Sequence, residues 1–214
     1  MKKAVFFDLD GTLLDSIGDL RTAVNLTRAS YGAGPLALED VRNYIGDGVR
    51  LLVERALQGI PHDPEEAVRR QLENYAAHYL DTTGLYPGVP EGLKRLKEAG
   101  WLVALVTNKP ENAAEFLLQK LDIPAYFDGI AGGEGKYPLK PDPAGCLALL
   151  KELGVEPCNG VMVGDHYTDL EVGRRAGMCR VFAQWGFGDP RSEEWDYAAP
   201  DFPALTTWLL NRRG

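Results

Sequence analysis

Two aspartates, Asp8 and Asp10, directly follow the short apolar run Ala4-Val5-Phe6-Phe7. A short run rich in β-branched and aromatic residues is typical of a buried strand, and open α/β sheets bind ligands where their strands end. Because side chains alternate along an extended chain, the two carboxylates are predicted to point the same way. One can then attack a substrate while the other moves a proton. The competing interpretation is a strand that ends in a solvated acidic turn.

Gly11 and Thr12 extend this pattern to Asp-Leu-Asp-Gly-Thr. Glycine lets the backbone turn sharply after the second aspartate, which frees amide N–H groups to bind an anion. Thr12 belongs to the same turn. We therefore expect Gly11 and Thr12 to contact the substrate.

Three later segments also place polar or charged residues beside apolar runs or a proline. They contain Thr107 and Asn108 after Val103-Ala104-Leu105-Val106, Lys140 in Lys140-Pro141-Asp142-Pro143, and Asp165 after Val161-Met162-Val163-Gly164, with Asp169 four residues further on.

Each of these side chains suits a phosphate group. Thr107 and Asn108 can donate hydrogen bonds to a phosphoryl oxygen, although capping of the strand end would also account for them. Lys140 offers the fixed cation that phosphoryl transfer requires, and Lys136 is a nearby alternative. Asp169 suits a metal site, but an acid in the first turn of a helix is also stabilised by the helix dipole alone.

Four such segments in this order resemble the motifs of the haloacid dehalogenase superfamily of hydrolases. The nearest subgroup is bacterial phosphoglycolate phosphatase, to which the pair Asp15-Ser16, the segment Ile45-Gly46-Asp47-Gly48-Val49-Arg50 and the pair Gly132-Gly133 are similar. The resemblance covers nearly the whole chain. It implies a small phosphorylated metabolite as substrate, with 2-phosphoglycolate as the leading candidate.

The resemblance also implies a mechanism. Asp8 would attack phosphorus to form an aspartyl phosphate, and Asp10 would protonate the leaving group and later take a proton from water. Mg²⁺ prefers hard oxygen ligands and keeps several waters, so a few protein oxygens suffice. The implied metal ligands are Asp8, the backbone carbonyl of Asp10, Asp165 and Asp169, the last either as a direct ligand or behind one.

Other functions share these motifs. A phosphosugar mutase has all four, and another phosphatase of the superfamily would act on a sugar phosphate, a nucleotide or pyrophosphate. A protein that binds phosphate without catalysis is a further alternative. Asp10 and Thr12 argue against the dehalogenase reaction, because halide departure needs neither a proton donor nor a phosphate-binding turn. Asp10 also disfavours a phosphonate hydrolase resembling the family.

The pattern of elements predicts an α/β fold with a Rossmann-like, mostly parallel sheet and an inserted all-helical cap domain. Residues 1–15 and 87–214 would form the core, and residues 16–86 the cap. The resemblance suggests strand order 3-2-1-4-5. In the cap, helices are predicted at about 16–30, 39–45, 48–58 and 63–80; in the core, strands at 101–106, 127–131, 160–164 and 179–183 would alternate with helices at 90–99, 110–121, 143–153, 167–176 and 205–212.

The cap is predicted to cover the site through the turn that contains Gly46 and Gly48. These glycines permit amides to approach a ligand closely, and Arg50 can pair with a carboxylate such as that of glycolate, or lie on the surface. Lys109 is a second candidate for that carboxylate. The run Trp185-Gly186-Phe187-Gly188 either borders the site or forms a plain turn.

Net charge and cysteine content limit the classes of partner and metal site that the chain is expected to have. The 214-residue chain has a net charge of −8, which argues against nucleic acid and anionic membranes because both require a basic field. Its three cysteines lack metal-binding spacing and are predicted to be reduced, buried thiols. Neither a signal peptide nor a membrane span is expected, so the sequence predicts a cytoplasmic protein, monomeric or homodimeric.

Overall fold

The computed structural model describes residues 2–212. Its strands are β1 (Ala4–Phe7), β2 (Leu14–Asp15), β3 (Gly84–Leu85), β4 (Leu102–Pro110), β5 (Gly129–Gly133), β6 (Gly160–Gly164), β7 (Cys179–Ala183) and β8 (Tyr197–Ala199). Its helices are α1 (Ile17–Ser30), α2 (Leu38–Tyr44), α3 (Val49–Ala56), α4 (Pro64–Ala77), α5 (Val89–Glu98), α6 (Glu111–Lys120), α7 (Ala144–Leu153), α8 (Tyr167–Arg175) and α9 (Phe202–Asn211). Short 3-10 turns occupy Pro124–Tyr126 and Pro157–Asn159.

A parallel sheet forms the centre of the fold. Across residues 2–212, six strands build it in the order β5-β4-β1-β6-β7-β8. Every neighbouring pair in this sheet is parallel. The predicted α/β class and the order 3-2-1-4-5 are confirmed, and β8 adds an edge strand that the sequence did not reveal.

Strand β1 is buried on both faces, and its side chains divide between two hydrophobic clusters. Val5 and Phe7 pack with side chains of α5, α6 and α9 on one face. Ala4 and Phe6 pack with side chains of α7 and α8 on the other. This continuous apolar strand is what a parallel sheet with helices on both faces requires.

Helices α1 to α4 form a separate layer between β2 and β3. Their core comprises small clusters, for example Val24 with Val41 and Leu52. Helix α4 begins as its sequence predicts, because the Asp63 side chain accepts a hydrogen bond of 2.8 Å from the Glu66 amide. Helix α1 differs: Ser16 stands at its N-cap but makes no capping hydrogen bond.

The chain enters and leaves the helical layer through one narrow connection. Leu14 and Asp15 pair in antiparallel fashion with Leu85 and Gly84. Next to this pair, the buried Asp19 carboxylate accepts hydrogen bonds from the amide and hydroxyl of Thr82, at 3.0 and 2.6 Å, and of Thr83, at 2.8 and 2.7 Å. Although burial opposes its charge, these hydrogen bonds hold the pKa of Asp19 below its ordinary value.

Several element boundaries differ from the expectations. Strand β4 continues to Pro110, with an irregular register after Val106, so Thr107 and Asn108 belong to the strand rather than follow it. Helix α9 begins at Phe202 because Asp201 caps it. Helix α4 ends at Ala77, before the expected Leu80.

The cysteines are free thiols, as expected, but their burial varies. Cys146 is buried, whereas Cys158 is exposed and Cys179 is half-buried, which corrects the prediction that all three are buried. Cys158 lies in a surface 3-10 turn, where no sheet or helix covers it. None of the helices in residues 2–212 is long and apolar enough to cross a bilayer.

Replacement of Asp19 by asparagine should destabilise the protein by about 2 kcal/mol at neutral pH, because an amide accepts fewer and weaker hydrogen bonds than a carboxylate. The folded-state pKa is lowered, so this stabilisation is fully present above the unfolded-state pKa of about 3.9 and is lost as the pH falls through the folded-state value. The difference in the free energy of unfolding between wild type and Asp19→Asn is measured by urea unfolding at pH 7 and pH 3.

The control is Asp15→Asn, which changes an exposed carboxylate in the same connection. This variant should unfold with wild-type free energy at both pH values. A difference between Asp19→Asn and wild type that is as large at pH 3 as at pH 7 would contradict the assignment to the ionised carboxylate.

Candidate active site

The carboxyl ends of three adjacent strands converge at Asp8. Strand β1 lies between β4 and β6, and the Asp8 amide donates to the Val163 carbonyl at 3.0 Å. Asp8 therefore extends the central strand by one residue, beside Thr107 on β4 and Asp165 after β6. The tertiary structure brings these predicted residues to one edge of the sheet.

A buried lysine contacts Asp8. The Lys140 ammonium lies 2.8 Å from Asp8 Oδ1 and 2.6 Å from Asp169 Oδ1, and its side chain is only 3% exposed. Burial disfavours its charge, but the two carboxylates raise the pKa of Lys140 above its ordinary value. Lys140 is thus a fixed cation at Asp8. The alternative, Lys136, has its ammonium 5.2 Å from the Tyr137 ring centre and is not part of this contact.

Three buried carboxylates gather around this point. Oxygens of Asp8, Asp165 and Asp169 lie within 4.8 Å of one another. Burial raises the pKa of Asp8 to about 6, even with Lys140 beside it. Burial, with Asp169 and Asp8 nearby, raises the pKa of Asp165 well above its ordinary value.

This cluster fits a divalent cation. Lys140 supplies one positive charge to three buried carboxylates, and Asp8 Oδ1 has no hydrogen-bond partner of good geometry within residues 2–212. Hard oxygen donors of this kind are what Mg²⁺ prefers. Asp169 is fixed by a hydrogen bond of 3.0 Å from the His166 amide to its Oδ2, while its Oδ1 faces Lys140.

Asp165 is oriented by the loop that follows β7. Its Oδ2 accepts hydrogen bonds from the amides of Phe187, at 3.0 Å, and Gly188, at 2.7 Å. Thr12 Oγ1 lies 3.3 Å from Asp165 Oδ1. The Trp185–Gly188 run therefore borders the site, the first of its two predicted alternatives.

The glycine turn after Asp10 serves a different purpose from the one expected. Gly11 has φ +83°, and an added Cβ would lie 2.0 Å from Asp165 Oδ2. Its amide donates to the Leu14 carbonyl at 2.8 Å, so this N–H closes the turn and is not free for an anion. Gly11 and Thr12 thus support Asp165 in this structure, and neither lines the pocket.

Asp10 is held by two side chains. The buried Lys109 ammonium lies 2.9 and 2.8 Å from its two carboxylate oxygens, and Ser16 Oγ donates to Oδ1 at 2.6 Å. Lys109 also donates to the Tyr75 hydroxyl at 2.7 Å. Tyr75 belongs to helix α4, so the helical layer is connected to Asp10 through Lys109.

A pocket opens beside Asp8 and Asp10 between the sheet and the helical layer. Both parts supply its walls, which include Thr107, Asn108, Lys109, Asp165 and His166 from the core, and Leu20, Arg42, Ile45, Gly46, Gly48, Val49, Leu52, Gln71 and Tyr75 from the helical layer.

Asn108 joins the two walls of the pocket. Its Nδ2 donates to the Gly46 carbonyl at 2.9 Å and to the Lys140 carbonyl at 3.0 Å, and its Oδ1 accepts from the Lys140 amide at 2.7 Å. The amide thus positions the helical layer and the Lys140 loop. Thr107 Oγ1 accepts from the Lys109 amide at 3.2 Å.

The structure corrects the expectation for Arg50. Its guanidinium pairs with Glu65 at 2.8 Å, where its side chain is 61% exposed, and it does not line the pocket. Gly46 does line it: at φ +109°, an added Cβ would lie 2.5 Å from the His166 ring. Helix α3 begins at Val49, so Arg50 lies on its outer face while Arg42, from α2, reaches the pocket.

Sequence reasoning undervalued four site residues: Ser16, Tyr75, Lys109 and His166. Tyr75 carries no motif and lies more than sixty residues from Asp10, so no local signal marks it. Lys109 directly follows the second motif and His166 directly follows Asp165 within the fourth, and that adjacency was the available signal. Burial lowers the pKa of His166 to about 4, so the ring is neutral at neutral pH.

Comparison with known proteins places this geometry in a family. The sequence pattern of the haloacid dehalogenase-like hydrolases matches residues 2–177. The chain belongs to this family.

Its relatives include proteins with assigned activities. It is 42% identical over 202 residues to phosphoglycolate phosphatase 1 of Pseudomonas aeruginosa. The aligned region covers 91% of this chain and 74% of that protein. It is 36% identical to phosphoglycolate phosphatase of Psychrobacter arcticus, over 98% and 96% of the two chains. A crystal structure described as a predicted phosphoglycolate phosphatase from Haemophilus somnus superposes with a TM-score of 0.88, 27% identity and 97% coverage of both chains.

Proposed function

We propose that this protein is a magnesium-dependent phosphatase that hydrolyses a small phosphate monoester through a phosphorylated aspartate. One observation carries the proposal. Asp8 directly follows the central strand of the sheet and belongs to a buried cluster of carboxylates. The Lys140 cation lies 2.8 Å from it, and Asp10 lines the same pocket. A nucleophile, a fixed cation and a second carboxylate are the groups that two-step phosphoryl transfer needs.

The two aspartates divide the reaction. A carboxylate oxygen of Asp8 attacks phosphorus, the bond from phosphorus to the ester oxygen breaks, and Asp10 gives its proton to that oxygen. Water then attacks the phosphorus of the aspartyl phosphate, the bond to Asp8 breaks, and Asp10 takes the proton from water. Lys140 offsets the negative charge on the phosphoryl oxygens and fixes the orientation of Asp8.

The metal ligands that we propose are Asp8, Asp165, Asp169 and the Asp10 backbone carbonyl, with Asp169 either a direct ligand or behind one. Bound Mg²⁺ would offset phosphate charge during the transfer. The Phe187 and Gly188 amides keep Asp165 aimed at the cluster.

We propose 2-phosphoglycolate as the substrate, on the basis of the activities named for the Pseudomonas aeruginosa and Psychrobacter arcticus relatives. The pocket supports an anionic leaving group of this kind. Arg42 lines it, and the buried Nε of Arg42 has no hydrogen-bond partner within residues 2–212. A carboxylate would supply the missing acceptor.

The nucleophile is tested with Asp8→Asn. Its turnover of 2-phosphoglycolate should fall by several orders of magnitude, because the uncatalysed reaction is exceptionally slow and the covalent step is lost. Phosphate release is measured with purified protein, and mass spectrometry excludes deamidation of the new asparagine.

The matched control is Asp40→Asn, an exposed carboxylate on α2, which should keep wild-type turnover. Asp8→Asn protein that is folded and retains more than a tenth of wild-type activity would disprove the assignment of Asp8. Wild type that hydrolyses other small esters but not 2-phosphoglycolate would disprove only the substrate.

The metal is tested by exhaustive chelation, which should abolish turnover. Added Mg²⁺ should restore it, and Ca²⁺ should do so poorly because its larger, more flexible shell misplaces the phosphoryl group. Mg²⁺ should also raise the melting temperature of wild type, since it binds only the folded cluster, and Asp165→Asn should weaken that rise. Full activity after chelation would contradict the metal assignment.

Residues 16–86 are proposed to act as a cap domain that selects the leaving group, because the core motifs contact only the phosphoryl group. Gly46 is the test position, since its carbonyl accepts from Asn108 and its α-carbon faces His166. Gly46→Val should lower kcat/KM on 2-phosphoglycolate at least tenfold more than on a bulky aryl phosphate. An equal fall on both substrates would contradict selection by the cap.

The control for Gly46→Val is Gly32→Val. Gly32 also has a positive φ, +72°, but an added Cβ would meet nothing within 4 Å. Both variants carry the backbone strain of a β-branched residue in the left-handed region, and only Gly46→Val adds a clash at the pocket. Gly32→Val should therefore lose stability without changing the ratio of the two kcat/KM values.

A further inference from the structure

Lys109 has three hydrogen-bond donors and no acceptor, and the structure gives each donor a partner. Two face the carboxylate oxygens of Asp10, at 2.9 and 2.8 Å, and the third faces the Tyr75 hydroxyl at 2.7 Å. The Lys109 side chain is only 2% exposed, so water offers little replacement. The position of this ammonium therefore depends on Tyr75.

Tyr75 joins the helical layer to the core. It lies near the end of α4, where it packs with Leu20 of α1 and with Phe187 of the loop that orients Asp165. The Tyr79 ring meets the Tyr75 ring edge-on, at 4.7 Å between centres and 84° between planes. Burial, together with nearby Asp10, raises the pKa of Tyr75 well above its ordinary value, so the hydroxyl keeps its proton and stays neutral.

We propose that Tyr75 is a positioning residue that places Asp10 for proton transfer by holding Lys109 against it. The proposal rests on the function proposed above. Asp10 belongs to the core, whereas Tyr75 belongs to the helical layer. Lys109 therefore has its third partner only while that layer covers the pocket, which links the arrangement around the second aspartate to the position of the cap.

Ser16 completes this arrangement from the connection between the two parts. Its hydroxyl donates to Asp10 Oδ1 at 2.6 Å, which accounts for the missing side-chain cap of α1. Asp10 is thus held by Lys109 from the core and by Ser16 at the start of the helical layer, and Tyr75 positions Lys109.

Tyr75→Phe removes the hydroxyl and keeps the ring. We expect kcat on the best ester to fall at least tenfold with KM within twofold, because a hydrogen bond to a charged group is lost and Asp10 shifts from its place. Tyr79→Phe is the matched control. It removes a hydroxyl from the ring that packs on Tyr75, whereas Lys109 donates to the Tyr75 hydroxyl, so both constants should stay within twofold of wild type.

A double-mutant cycle separates positioning from a general structural role. In a Lys109→Met background, the loss caused by Tyr75→Phe should shrink to less than twofold, because Tyr75 acts through Lys109. An equal fold-loss in both backgrounds would overturn the proposal.

A second measurement does not depend on turnover. Acetylation by an amine-reactive ester in Mg²⁺ buffer, read by peptide mass spectrometry, should label Lys109 at least fivefold faster in Tyr75→Phe than in wild type or Tyr79→Phe. Lys94, whose side chain is 67% exposed, is the internal reference. Unchanged protection of Lys109 in Tyr75→Phe would overturn the proposal whether or not the protein is active. Wild type inactive on every ester would instead reject the proposed function and leave the labelling to decide the contact.

Discussion

The ion pair between Lys140 and Asp8 is the contact around which the site is built. Placing Asp8, Asp165 and Asp169 together in a buried cleft is costly, because charges removed from water lose their hydration. Lys140 contacts two of the three carboxylates, and backbone amides of the Phe187–Gly188 turn contact the third. The remaining negative charge is what would suit the cluster to the proposed cation and, with that cation bound, to a phosphate group.

The surrounding fold positions these groups by backbone geometry. Strand β1 is buried between β4 and β6, so the end of each strand is fixed by hydrogen bonds along its length. Gly11 and Gly164 then leave space that a side chain would fill, since an added Cβ at either would lie about 2 Å from Asp165 or Asp169. Close approach of backbone to carboxylate is therefore part of the site.

Contacts of different character close the chain connection of the helical layer and tie the layer to the core. Asp19 binds the returning chain at Thr82 and Thr83, Asn108 binds the Gly46 carbonyl at the pocket, and Lys109 binds Tyr75. The first lies at the chain connection. The other two lie at the pocket wall, so a ligand that enters there meets the contacts that hold the two parts together.

The sequence by itself determined the alternating α/β core, the helical segments between residues 16 and 86, and the candidate residues at the strand ends. These follow from apolar periodicity, glycine turns and the residue types that phosphate chemistry needs, all of which are local signals. Strand β8 was not predicted because its three residues, Tyr197–Ala199, form too short a pattern to distinguish a strand from a loop. Only the tertiary structure decided that Arg42 rather than Arg50 lines the pocket, that Gly11 supports Asp165, and that Tyr75 reaches Lys109. Those contacts join segments far apart in the chain, and their geometry depends on how the helical layer packs against the sheet, which no local pattern encodes.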